Sequence, residues 1–278
     1  MTPTMLRVCF LFGILTTVLA SACYENRVAC LDGDATNFDI LADEACPDCC
    51  EFPAFSLDVA RFWGSAPLVA DSVYTDGAGN AFRLLRLRVY LSELGLSAGA
   101  TQLPVPENPT EARVVVGGDT TLTTINANVV LLANTGSTVA TVGRLRVGEG
   151  ALTQVQGFVG FPGDFPRVVP GSAPGGSPLA TQPGLLNFND GAGYLTASLE
   201  VARPALGDTL RVDLRDPRPL TLPFPGPLAP LRGVDLTLEL VADYRLALGN
   251  LDLTADPATV AAGLADNLQA WLTVVGVR

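Results

Sequence analysis

The chain has 278 residues, a net charge of −11, 48% hydrophobic and 16% charged residues, and neither His nor Lys. The acidic balance excludes nucleic acid as a partner, and without His or Lys neither a Ser–His or Ser–Lys nucleophile nor a Schiff base can be built. With 28 Gly and 21 Pro the chain turns often, which suits an all-β fold.

The chain opens on a targeting segment. Arg7 precedes an apolar run over 8–19, and Ala20, Ser21 and Ala22 lead to Cys23. A basic start, a short apolar stretch and small residues before a cut make 1–22 a signal peptide, too short for a membrane span. The small residues before Cys23 resemble a bacterial lipoprotein box, although Ala20 stands where Leu is usual. That resemblance implies lipidation of Cys23 and attachment to a membrane of the bacterial cell envelope, at the outer membrane or in the periplasm. Ordinary cleavage near Ala22 is the alternative.

Residues 23–53 read as a small, acidic, Cys-rich module. Cys30, Cys46, Cys49 and Cys50 are an even number in a secreted segment and predict two disulfides, with the pairing open. Cys46 and Cys49 also form a C-x2-C pair, but zinc sites want a second matching pair. The run from Cys30 to Ala42 resembles a short repeat of secreted bacterial proteins, C-x-D-x-x-A-x-N-[FY]-[DN]-x-x-A. Within it and just beyond, Asp32, Asp34, Asn37, Asp39 and Asp43 place oxygen donors at close spacing and are candidate calcium ligands. Their spacing is not that of an EF-hand loop, and the alternative is a solvated acidic loop held by disulfides.

Residues 54–278 form the main domain. Strand character recurs over 54–62, 82–91, 112–116, 129–132, 139–147, 152–159, 194–201, 209–214 and 234–240, with turn signals between. Many short strands without alternating helices predict an antiparallel β-sandwich. The segment over 76–80, Asp-Gly-Ala-Gly-Asn, is a tight turn. After it, Leu85, Leu87, Val89 and Leu91 alternate with Arg86, Arg88, Tyr90 and Ser92, which predicts a strand with one core face and one basic, solvated face. The Pro/Gly-rich stretch over 161–184 cannot continue a ladder and predicts a long loop, functional or disordered. A second Pro-rich stretch, over 215–230, is expected to cross between sheets. Near the end, Asp256 can cap a helix with Pro257 at its first position. Val260, Leu264, Leu268, Trp271 and Leu272 form its apolar stripe.

The stretch over 66–96 also carries a resemblance. Pro67, Leu68, Tyr74, Gly79, Phe82 and Tyr90-Leu91-Ser92 resemble the opening motif of the MbnP-like family, secreted copper-binding proteins associated with methanobactin and with copper uptake in methane oxidisers. The likeness continues through Gly157-Phe158-Val159-Gly160, Ser177-Pro178-Leu179, Gly193-Tyr194 and Val241-Ala242-Asp243-Tyr244, and so spans roughly 54–278. It implies a β-sandwich, bound copper, and a Trp that a partner dihaem peroxidase-like enzyme oxidises to kynurenine; Trp63 is the candidate. The family holds copper through His, and those positions have no counterpart here. Imidazole, thiolate and thioether are the donors that suit copper. Both Met residues, Met1 and Met5, fall in the signal peptide. Carboxylates remain, and these favour calcium. Paired carboxylates for glycoside hydrolysis do not stand out, and there is no P-loop or dinucleotide fingerprint. The expectation is therefore a non-enzymatic, surface-anchored MbnP-like protein, with a cell-surface recognition module for glycan or protein as the alternative.

Overall fold

The computed structural model describes residues 25–99, 101–103, 105–147, 150–183, 188–189 and 192–278. The segment expected to be a signal peptide, 1–22, and Cys23 lie outside the described residues. The N-terminal module contributes a short parallel pair, β1 (Val28–Ala29) and β2 (Glu44–Ala45). The main domain runs through β3 (Ala54–Trp63), β4 (Ala66–Pro67), β5 (Val73–Thr75), β6 (Ala81–Ala98), β7 (Thr101–Gln102), β8 (Pro109–Val116), β9 (Asp119–Asn126), β10 (Val129–Ala133) and β11 (Val139–Arg144). It continues through β12 (Leu152–Val159), β13 (Ala197–Arg203), β14 (Asp208–Leu214), β15 (Arg218–Leu228) and β16 (Leu236–Asp243). Two helices follow, α1 (Tyr244–Leu248) and α2 (Pro257–Asn267), then β17 (Leu272–Val277).

These strands make the predicted sandwich. The larger sheet has the order β14-β13-β6-β12-β15, with β5, β7 and β10 also paired to β6; the smaller has the order β11-β3-β16-β17, with β4 on β3. Within these two sheets pairing among the described residues is antiparallel except between β3 and β16. That parallel register sets Leu236 beside Phe55, Leu238 beside Leu57 and Leu240 beside Val59, and all six side chains are buried. Period-two alternation in each strand supplies one apolar face, and the two faces close on each other as a single core. α2 begins at the Asp256 cap, whose carboxylate accepts from the Ala258 and Thr259 amides. Val260 and Leu264 then turn into the same core.

The central strand β6 departs from simple alternation twice. Glu200 pairs with Arg86 but Val201 with Leu84, so Leu85 is an extra residue in the ladder. It is 45% exposed, while Leu84 is buried, which corrects the expectation that Leu85 faces the core. Further along, Gln156 pairs with Gly95 but Phe158 with Ser92, which makes a second bulge at Glu93, whose φ is 50°. Each bulge shifts the phase by one residue. The core-facing set accordingly runs Phe82, Leu84, then Leu87, Val89, Leu91, then Leu94, Leu96.

Three other expectations are corrected. The face with Arg88, Tyr90 and Ser92 is not solvated: these residues are 7%, 0% and 0% exposed. The stretch over 215–230 does not cross between sheets; most of it is β15, the edge strand against β12. Pro219, Pro223, Pro225 and Pro227 all fall on odd positions, so one side of the strand carries the residues lacking an N–H, as an edge tolerates. Finally, α2 stops at Asn267 and Leu272 opens β17, so the lower end of the apolar stripe belongs to a turn and a strand.

Candidate functional site

The 66–96 stretch builds its surroundings from a buried carboxylate. Asp76 is 5% exposed. Its Oδ1 accepts from the Ala78 amide at 3.0 Å and the Asn80 amide at 2.7 Å. Its Oδ2 accepts from the Leu253 amide at 2.9 Å and from Asn80 Nδ2 at 3.2 Å. The Gly77 amide donates to the Leu251 carbonyl at 2.7 Å. The turn between β5 and β6 is thus fastened to the segment that links the two helices.

Trp63 ends β3 beside this turn. Its ring lies 4.4 Å from Tyr74 and 5.8 Å from Phe82, centroid to centroid, and it is half-buried. Tyr74 is fixed in turn by its hydroxyl, which donates to the Val69 carbonyl at 2.8 Å and accepts from the Val69 amide at 2.9 Å. The nearby carboxylate, Asp243, accepts from the Gly64 and Arg245 amides, both at 2.9 Å. Aromatic rings, a guanidinium side chain at Arg245 against Gly64 and a carboxylate engaged by amides do not make a donor set for copper. The residues around Trp63 do not fit the metal that the resemblance implies.

Tyr90, Ser92, Gly160, Pro178 and Tyr194 of the resemblance meet on the outer face of the larger sheet, whereas Ala242 and Tyr244 lie in the inner core. Tyr90 packs on Phe161 at 4.7 Å, and Phe161 stacks on Tyr194 at 4.1 Å. The Tyr90 hydroxyl donates to the Pro178 carbonyl at 2.8 Å. The Ser92 hydroxyl donates to the Gly160 carbonyl at 2.6 Å. The Tyr194 hydroxyl donates to the Pro166 carbonyl at 2.6 Å and accepts from the Val168 amide at 2.8 Å. The β8–β9 hairpin grips the same loop, the Val169 amide donating to Arg113 and the Val115 amide to Arg167. In its described part, the Pro/Gly-rich stretch is an ordered cover over a second apolar cluster. Burial of neutral phenols holds the pKa of Tyr90, Tyr194 and Tyr244 above the ordinary tyrosine value.

In the N-terminal module one disulfide is formed, Cys30–Cys50, across 20 residues. Cys46 and Cys49 are free thiols, so the expected second bridge is not formed. The Cys49 Sγ donates to the Cys46 carbonyl at 3.0 Å. The hydrogen bond between the two thiol side chains is the first cause of a raised Cys49 pKa, followed by desolvation.

The candidate calcium ligands do not converge. Asp34 is 4% exposed and is paired with Arg232 at 2.5 Å and Arg146 at 3.3 Å. Asp32 takes Arg146 at 2.9 Å and Asp39 takes Arg27 at 2.6 Å. Asp43 accepts from the Arg27 amide, and Asn37 bridges the Cys49 carbonyl and the Glu51 amide. Among the described residues no group of three or more His, Cys, Asp or Glu side chains is placed to hold a metal ion. Arginines occupy the positions where a cation would neutralise these carboxylates, and two of them, Arg146 and Arg232, join the module to the sandwich.

No helix among the described residues is long and apolar enough to cross a membrane. No family model matches the chain, and no curated protein matches it. Among solved structures it is similar to MbnP from Methylosinus trichosporium, with 14% sequence identity, a TM-score of 0.45, and coverage of 73% of this chain and 80% of that one.

Proposed function

We infer that this chain is a non-enzymatic protein of the bacterial cell envelope, anchored by lipid at Cys23, with an MbnP-like sandwich that has lost the copper site and serves as a scaffold for binding. The observation that carries this reading is the use made of the residues behind the resemblance. Tyr74, Phe82, Tyr90, Ser92, Pro178 and Tyr194 all hold strands, turns or the covering loop in place. They are the residues that maintain an architecture, and they can persist when a metal site does not. Around Trp63 copper lacks donors: the sequence has no His, its two Met lie at positions 1 and 5, Asp243 is engaged by two amides, and the free thiols of Cys46 and Cys49 belong to the N-terminal module.

The test combines fractionation with a metal competition. Wild-type protein is expected in the membrane fraction and the Cys23→Ala protein in the soluble fraction. Titrated with copper against a chelator of known affinity after alkylation of Cys46 and Cys49, the purified protein is expected to retain none, and Trp63 is expected to be unmodified by mass spectrometry. Stoichiometric copper held against the chelator, or kynurenine at position 63, would overturn the reading.

A further inference from the structure

The bulge at Glu93 does more than shift the phase of β6. It lifts the Glu93 side chain from the outer face of the larger sheet, opposite Gly157. A Cβ on Gly157 would come within 2.8 Å of the Ser92 carbonyl oxygen and 2.9 Å of Leu94 Cδ2, so only glycine closes the ladder there. Asn128 completes the arrangement. Its carbonyl accepts from the Glu93 amide at 3.0 Å and its Nδ2 donates to the Leu94 carbonyl at 2.7 Å. That second bond fixes which way the amide faces, and it leaves Oδ1 without a partner. Asn128 is 2% exposed, and its Oδ1 is a buried acceptor with no hydrogen bond among the described residues. That oxygen is closed off from solvent, so the Asn128 amide serves to hold the bulge and not to meet a ligand.

Asn128 lines a cavity of about 610 Å³ that also takes in Glu93, Gln102, Gln156 and Thr221. Phe158, Phe165, Pro166 and Pro219 supply its apolar flanks. The volume lies within the range of sites for small organic ligands, roughly 300–1,000 Å³. No Arg lines it among the described residues, so nothing there would hold a phosphate or carboxylate. The side-chain amides of Gln102 and Gln156 and the hydroxyl of Thr221 both donate and accept, as ligand hydroxyls do. Ring and proline faces suit the C–H faces of a sugar ring. Partial burial, and next the Asp164 carboxylate, push the Glu93 pKa up.

We propose that this cavity binds a neutral saccharide, whose hydroxyl groups donate to the Glu93 carboxylate that the bulge presents, while Gln102, Gln156 and Thr221 exchange hydrogen bonds with its remaining hydroxyls. This goes beyond the scaffold reading by giving the sandwich a ligand class. It stands independently of whether Cys23 is lipidated or copper is bound.

The test is to present the full chain to an array of defined neutral oligosaccharides containing glucose, galactose, mannose and N-acetylglucosamine, then to titrate the strongest binder by calorimetry. At least one array member is expected to bind. Gln156→Ala and Glu93→Gln are each expected to weaken it by about tenfold or more. Gln156 lies outside the buried core, so a Gln156→Ala protein with a wild-type urea midpoint separates lost binding from lost folding. The proposal is overturned if no array member binds, if binding survives both substitutions unchanged, or if spermidine binds at this cavity and saccharides do not.

Discussion

At the scale of single residues, Asp76 and Gly77 show how a turn signal becomes a structural fastening. Sequence pattern identifies the Asp-Gly turn, but the partner lies far along the chain, at 250–253, and no local pattern points there. Replacing Asp76 with Ala would leave the Leu253 and Asn80 amides without their acceptor, and a buried unpaired donor costs about 1–3 kcal/mol. Replacing Gly77 with Ala would put a Cβ 2.5 Å from the backbone carbon of Asn250, a clash that only a backbone shift relieves, at about 1–3 kcal/mol. Both variants are expected to lower the urea midpoint without changing the slope of the transition. A wild-type midpoint for Gly77→Ala would contradict the close approach described here. Glu93 and Asn128 lie at the opposite limit of legibility. A Glu in an apolar strand and an Asn before a short strand carry no signal, because their meaning comes from a bulge created by pairing with β12.

At the scale of elements, periodicity recovered most of the strands that build the core. β3, β8, β10, β12 and β14 fall within a few residues of their expected positions, because each is a short run with buried apolar residues, on both faces in β10. The elements that escaped detection follow other rules. β9 is Thr-rich and has no apolar face of its own, its residues being exposed apart from Ile125; hairpin pairing with β8 alone makes it a strand. β15 is hidden by four prolines that an edge accommodates. The covering loop over the outer face is ordered by tyrosine hydroxyls and a distant hairpin, contacts that composition cannot reveal. In the cysteine module, even counting suggested two bridges, whereas the turn over Pro47–Cys49 delivers Cys50 to Cys30 and leaves Cys46 half-buried and Cys49 exposed. Alkylation before reduction, followed by peptide mapping, is expected to label Cys46 and Cys49 and to spare Cys30 and Cys50. A mapped Cys46–Cys49 crosslink would restore the second bridge. Cys30→Ser is expected to destabilise the module by about 3 kcal/mol, the value for closing a loop of this length.

At the scale of the whole molecule, the two apolar clusters are coupled through the larger sheet, whose inner face closes on the smaller sheet and whose outer face lies under the loop. Buried tyrosines report on both: Tyr244 on the inner cluster, Tyr90 and Tyr194 on the outer. Their folded-state pKa values lie above the unfolded value of about 10, so burial of the neutral phenol contributes stability that is complete below that pH and is lost as pH rises toward the folded value. Absorbance of ionised tyrosine during an alkaline titration is expected to show these three of the five tyrosines ionising together with loss of the fold. Independent ionisation of all five near pH 10 would show that neither cluster is closed.

The parallel pairing of β3 with β16 bears on when the protein can fold. The Ala54 amide donates to Asp235 Oδ1 across 181 residues of chain, and β3 has β16 as its neighbour on that side of the sheet. A growing chain therefore synthesises the first strand of the smaller sheet long before its partner exists. Until residue 243 has left the ribosome, Phe55, Leu57 and Val59 have no completed sheet to join. Pairings this distant in sequence form slowly, on the order of milliseconds to seconds. The nascent chain is thus held open by its own topology until the last strands of the smaller sheet are made.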